Sequence, residues 1–252
     1  LKFFTAAQTV SLVKIRPQNK SGINFMKFSN TTLGILVAAV IGGAIALYVV
    51  NNQNGAGPAT GSSVTEAEMI SKYKTWAENY NATNHEGKTF DAENSLVVGL
   101  SVGGPLVIEM YPEKAPNHVQ RFKELSRAGF YDGIVFHRVM EGFMAQSGDP
   151  TGTGMGGSDL PDLMAEFNDI AHTKGITSMA RSRSPDSANS QFFIMFDNTP
   201  SLDGEYTVWG KVIAGIEYVD LIQRGNLNDN GAVPEADRTR IMFMKVAADI
   251  KG

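Results

Sequence analysis

The hydrophobic positions of this chain change their period several times, and each change marks an element. From Leu33 to Val50 the run LGILVAAVIGGAIALYVV carries no charge. Eighteen residues at the helical rise approach the hydrocarbon thickness of a bilayer, so the run predicts one N-terminal transmembrane helix. A cleaved signal peptide would have a shorter apolar core and small residues at its end, where this chain has Leu47-Tyr48-Val49-Val50. A buried core helix would need a matching core nearby, and the flanks are polar. Asn51 to Ser63, NNQNGAGPATGSS, has the composition of a flexible linker. Thr65 and Glu68 then have capping-box spacing, and Met69, Tyr73, Trp76 and Tyr80, with Ile70 and Ala77, form one apolar face at helical spacing. Residues 64–94 are expected to form an amphipathic helix and a connection, packed on the domain that follows.

From Ser95 onward the pattern becomes short β-type runs, such as Leu106-Val107-Ile108, Ile134-Val135-Phe136 and Phe192-Phe193-Ile194, separated by turns that carry Gly and Pro. Helical spacing returns at Pro116 to Ala128, with Val119, Phe122 and Leu125 inward, and near Ile216 to Arg224. About eight strands and two helices predict a mostly β fold: a closed eight-stranded antiparallel barrel capped by two α-helices over residues 95–252.

Charge adds a direction. Lys14, Arg16, Lys20 and Lys27 precede the apolar run and the next basic residue is Lys72, which places residues 1–32 in the cytoplasm, residues 33–50 in the membrane and the rest outside it. Met26-Lys27 is a natural beginning for such a signal anchor. A net charge of −4 gives no reason to expect nucleic acid, and the absence of cysteine removes disulfides, thiolate metal sites and cysteine nucleophiles. The four histidines, His85, His118, His137 and His172, lack ligand spacing, so no metal site is expected.

Three segments carry candidate chemistry. The first is Phe136-His137-Arg138-Val139 with Gly142-Phe143-Met144-Ala145-Gln146-Ser147-Gly148-Asp149, in which strand alternation would put Arg138 on the face of Phe136. The second runs from Ser178-Met179-Ala180-Arg181 to Ser190-Gln191-Phe192-Phe193-Ile194. The third is Ser201-Leu202-Asp203-Gly204-Glu205-Tyr206-Thr207-Val208-Trp209-Gly210-Lys211-Val212. In this order and at these separations they closely resemble the cyclophilin family of peptidyl-prolyl cis/trans isomerases, from about Gly103 to the last strand. The strings MARSRSPDSANSQFFI and TVWGKV are most similar to bacterial single-domain members, which suggests a bacterial envelope and a periplasmic domain.

The resemblance implies a mechanism without cofactor. Rotation about X–Pro needs no nucleophile and no proton shuttle, only a held proline and a donor that favours the twisted amide. Arg138 matches the family's donor and Gln146 the glutamine that fixes it. Phe143, Met144, Phe193 and Leu202 would line the proline pocket, with Ala180, Arg181 and Gln191 beside the extended substrate. Tyr206 stands where many members have histidine, and Ser201 where many eukaryotic members have tryptophan. Loss of that wall implies weak cyclosporin binding. The implied partners are proline-containing polypeptides in exported or envelope proteins.

Other candidates are given no chemistry. Gly152 to Gly157 is not followed by Lys-Ser/Thr and reads as a flexible turn beside the substrate. Trp209 is expected in the core. Asp186, Asp203, Glu109 and Glu113 read as turn or solvated carboxylates. Asn81-Ala82-Thr83 and Asn30-Thr31-Thr32 fit the glycosylation pattern. Two rivals to an isomerase are a proline-segment chaperone and a membrane-tethered scaffold that works through the 65–80 helix, each with little turnover.

Overall fold

The structure, a computed structural model, describes residues 25–28, 35–41, 44–50, 64–83 and 89–251. The chain divides into two compact units, residues 1–62 and 63–252. In the first, strands β1 (Phe25–Phe28), β2 (Ile35–Ile41) and β3 (Ala44–Val50) form an antiparallel sheet in that order. This corrects the helix expected over 33–50. The run is rich in Ile and Val, whose branched side chains favour extended backbone, and Gly42-Gly43 separates the strands in sequence, with Ile41 opposite Ala44. No helix among the described residues is long and apolar enough to cross a membrane. The expectations for residues 1–24 and for the linker 51–63 lie outside the described residues.

The second unit opens with helix α1 (Glu66–Ala82). Its N-terminus has both halves of the capping box: the Glu68 amide donates to Thr65 Oγ1, and the Thr65 amide donates to Glu68 Oε2 at 2.7 Å. Strands β4 (Ser95–Leu100) and β5 (Gly103–Met110) follow, then helix α2 (Pro116–Arg127), and then β6 (Arg138–Met140), β7 (Met144–Ser147), β8 (Ile176–Met179), β9 (Phe192–Met195) and β10 (Val208–Ala214). A single turn α3 (Ile216–Val219) and β11 (Ile241–Val246) complete the unit. The eight strands β4 to β11 pair antiparallel in the order β11-β4-β5-β10-β8-β9-β7-β6. The sheet curls until its ends meet: the Phe136 amide donates to the Thr239 carbonyl, the Ile241 amide to the Ile134 carbonyl, and Val135 bridges Arg240. Ile134-Val135-Phe136, expected as a strand, supplies only this bridge.

Strand alternation sorts the apolar side chains. Leu96, Val98 and Leu100 of β4 and Leu106, Ile108 and Met110 of β5 point into the barrel core, where they join Phe122 of α2 and Trp209 of β10. Val97 and Val107 point out and are covered by Met69 and Tyr73 of α1, with Phe243 and Ala247. Both faces of β4 and β5 are therefore buried, which is why their sequences read as continuous apolar runs. Gly99 shapes the seat of the helix, since a Cβ there would lie 2.7 Å from Met69 Sδ. Trp209 is fully buried and stacks on Phe122 at 3.7 Å.

The second capping helix, expected to reach Arg224, ends after one turn. Gly215 enters it with φ of 78° and no side-chain cap. The Leu221 and Ile222 amides fall back to three-residue bonds, and Arg224 Nη1 donates to the Asp220 and Ile222 carbonyls, which a longer helix would have used.

Truncating the knob that enters the Gly99 seat, Met69→Ala, is expected to destabilise the 63–252 unit by about 2–5 kcal/mol. Denaturant unfolding of the full chain, followed by the fluorescence of Trp76 and Trp209, measures it.

Candidate active site

The β6–β7 hairpin places Arg138 directly opposite Gln146. Arg138 Nη1 donates to Gln146 Oε1 at 3.2 Å, Gln146 Nε2 to Gln191 Oε1 at 2.9 Å, and Gln191 Nε2 to the carbonyls of Gly154 and Gly156 at 3.0 and 2.8 Å. On its other side Arg138 Nε donates to the Asn230 carbonyl at 2.9 Å and Nη2 to Asn230 Oδ1 at 3.0 Å and Met140 Sδ at 3.1 Å. No carboxylate is among these partners, so the cation is oriented without being neutralised. Burial draws the guanidinium below its ordinary range, with the nearby Tyr206 opposing. Arginine nevertheless stays charged at neutral pH.

Arg138 does not share a face with Phe136. The strand begins only at Arg138, so alternation does not extend back: Phe136 and Val139 lie in the barrel core, and Arg138 and Met140 face outward.

Beside the guanidinium lies a separate apolar cluster. Met144, Phe193, Phe143, Leu202, Tyr206 and Ala180 all belong to it. Alternation again explains the split, because Phe192 and Ile194 of β9 enter the core while Phe193 and Met195 enter this cluster. Phe193 and Tyr206 meet edge to face at 5.6 Å. Arg181 lies 4.6 Å above the Tyr206 ring and donates to the Glu205 carbonyl from Nε and Nη2. The Ala180 amide is engaged by the Gln191 carbonyl. A cavity of about 470 Å³ touches Gln146, Gln191, Ala180 and Arg181, and another of about 600 Å³ touches Arg138, Gln146, His137 and Asn230. The two cavities both touch Gln146, and the second also touches Arg138. Ser201 is exposed on the turn Pro200–Leu202.

Three features of the site were not read from the sequence. Asn230, the second anchor of Arg138, is 92 residues distant from it in the chain and adopts φ of 51°, which nothing local announces. The Gly152 to Gly157 stretch, expected as a flexible turn, is wound on Asp149: this fully buried carboxylate accepts from the amides of Thr151, Thr153 and Gly154 at 2.7, 3.0 and 2.6 Å, and from Thr151 Oγ1 at 2.8 Å. Burial works to raise its pKa, but the Thr151 side chain and the amides of Thr151, Gly156 and Gly154 outweigh it and leave it at about 2. Asp203, read as a turn or solvated carboxylate, is exposed on a turn and also accepts from the backbone and ring of His172, a partnership the sequence did not announce.

The arrangement of a cation, a glutamine and an apolar cluster on a curled eight-stranded sheet agrees with the comparisons. A family model described as cyclophilin type peptidyl-prolyl cis-trans isomerase/CLD matches residues 97–246. The chain belongs to this family. It is a peptidyl-prolyl cis-trans isomerase. It is 45% identical over 172 residues to a probable peptidyl-prolyl cis-trans isomerase of Brucella suis, covering 64% of this chain and 86% of that one. It is 42% identical over 129 residues to peptidyl-prolyl cis-trans isomerase B of Bacillus subtilis, covering 51% and 90%. Among solved structures, a cyclophilin from Hirschia baltica superposes with a TM-score of 0.57 at 26% identity, covering 64% of this chain and 77% of that one. A Cryptosporidium parvum cyclophilin-type isomerase, crystallised in the presence of the dipeptide Ala-Pro, gives 0.54 at 29% identity, with 60% and 98% covered.

Because the folded pKa of Asp149 is depressed from 3.8 to about 2, its contribution to stability is present above the unfolded value and lost as pH falls through the folded one. Asp149→Asn is expected to lower stability at pH 7 by about 2 kcal/mol and to remove part of the acid transition between about pH 4 and 2. Urea unfolding across that range measures both effects.

Proposed function

We propose that this cyclophilin isomerises X–Pro bonds by seating the proline ring among Phe143, Met144, Phe193, Leu202 and Tyr206 while Arg138 donates to the prolyl amide. The observation that carries the reading is the state of the guanidinium. Four of its five N–H groups are engaged by Gln146, Asn230 and Met140, which leaves one Nη1 hydrogen with no protein acceptor among the described residues. The uncatalysed barrier, roughly 18–20 kcal/mol, comes from amide resonance. As the bond twists, the nitrogen becomes pyramidal and gains a lone pair that can accept this hydrogen bond, which the planar ground state cannot do. Gln146, Gln191 and Asn230 spend no reorganisation at that moment, since they already hold the donor. Ala180 and Arg181 border the path of the extended chain beside the first cavity. The dipeptide present with the Cryptosporidium parvum relative supports Ala-Pro as the probe.

The substrates on this reading are proline-bearing segments of exported polypeptides, and the tether is the run Leu33–Val50. Its support is eighteen uncharged residues preceded by Lys14, Arg16, Lys20 and Lys27 and followed by no basic residue before Lys72. In a bilayer two strands could not satisfy their own backbone groups, so a tether needs this run to become helical there. The exposed Ser201 supports a second reading, in which the open pocket binds proline segments as a chaperone with little turnover, and it also supports weak cyclosporin binding.

Exchange rates on an Ala-Pro peptide are expected to be accelerated by the wild-type chain and reduced about a hundredfold or more by Arg138→Ala, the loss typical of one preorganised donor. The rate should be flat from pH 6 to 8, because no titrating group takes part in the proposed step; burial draws the His137 ring, beside Arg138, below its ordinary pKa. A folded chain without acceleration would favour the chaperone, and nanomolar inhibition by cyclosporin would contradict the role given to Ser201. The tether predicts that the full chain stays with membranes through alkaline carbonate and that deletion of residues 33–50 releases it; release of the intact chain would refute the tether.

A further inference from the structure

Behind the apolar pocket lies a buried histidine that the isomerisation chemistry leaves unused. His172 is 1% exposed and every polar group it has is engaged. Its carbonyl accepts from the Thr199 amide at 2.9 Å, its amide donates to Asp203 Oδ1 at 2.7 Å, its ring Nδ1 lies 2.9 Å from the same oxygen, and Nε2 lies 2.9 Å from Ser178 Oγ. A carboxylate only accepts, so in the neutral ring the proton sits on Nδ1 and Nε2 accepts from the Ser178 hydroxyl. The order Asp-His-Ser is that of an acyl-transfer site, but Ser178 is fully buried in β8 and its hydroxyl is spent on the ring. It has no access to a substrate and is no nucleophile.

The ring performs a different task. It lies nearly parallel to Phe193, with centroids 6.2 Å apart and planes at 21°, and meets Tyr206 edge-on at 6.4 Å and 80°. With the 5.6 Å contact between Phe193 and Tyr206, three rings form a closed corner. Two of them face the substrate side, and the third is held at both ends by hydrogen bonds. Thr199 and Asp203 bracket the turn that carries Leu202 and precede Tyr206, so the same residue also fastens this segment of the wall to β8.

We propose that His172 is a positioning residue for the isomerisation: clamped between Asp203 and Ser178, it sets the spacing of Phe193, Leu202 and Tyr206 that admits a proline ring. The inference rests on the reading of that cluster as the proline pocket. Loosening the clamp weakens the hold on proline in ground and transition states alike, which raises KM and spares kcat, the reverse of what loss of the Arg138 donor does.

The test is steady-state exchange on Ala-Pro peptides with the full chain. Asp203→Ala removes the acceptor and is expected to raise KM about tenfold with kcat within about twofold, the order carried by a lost charge-assisted hydrogen bond. Asp203→Asn keeps an acceptor oxygen and is expected to recover most of that loss. Ser178→Ala, which deletes one oxygen and should fold whatever becomes of the other variants, is expected to raise KM about threefold. Wild-type KM in Ser178→Ala and Asp203→Ala, or a fall in kcat alone in proportion to unfolded protein, would overturn the clamp. A wild-type chain without turnover would instead overturn the reading of the site, and the two failures are distinct.

Discussion

Side chains on a strand alternate, and in a curled sheet covered on its outside this alternation creates separate apolar environments. Everything distinctive about the molecule follows from how the strands use it. In β4 and β5 the inward residues fill the barrel while Val97 and Val107 receive α1, so these strands have no wet face. In β9 the inward Phe192 and Ile194 belong to the barrel core, and Phe193 and Met195 belong to the apolar cluster beside Arg138. A slip of one residue in β9 would exchange the one for the other. The order of the second cluster is thus tied to the barrel beneath it.

On this platform the polar half of the site is a chain of neutral acceptors. Gln146, the Asn230 carbonyl and the Asn230 amide oxygen orient Arg138 without a counter-charge, and Gln191 passes the constraint to the Gly154 and Gly156 carbonyls. The loop bearing those carbonyls is in turn shaped by Asp149. The one strongly perturbed carboxylate near the site therefore acts on backbone amides and not on the cation. An ion pair there would have fixed the guanidinium equally well, but it would have weakened the field offered to a twisted amide.

The N-terminal run shows how one composition supports two structures. Leu33–Val50 is as apolar as a membrane span, and its Ile and Val content with a central Gly42-Gly43 is also that of a hairpin, which the backbone of β2 and β3 adopts. Hydropathy measures transfer out of water, whereas secondary structure depends on where the backbone groups find partners. The two are independent quantities, and reading one from the other produced the helix that the structure replaced.

Local signals were enough wherever neighbours in sequence make the structure. The capping box at Thr65 and Glu68, the apolar faces of α1 and α2 and the eight short strands could be recognised from residue types and spacing, whereas Arg138, Gln146, Phe143, Phe193, Leu202 and Tyr206 were singled out by the resemblance of three segments to a known family. What the sequence left open depends on groups brought together from far apart. Asn230 reaches Arg138 across 92 residues and His172 joins Asp203 across 31. An asparagine and a turn aspartate look ordinary in sequence, because a hydrogen bond is decided by position in space and only the closed sheet supplies that position.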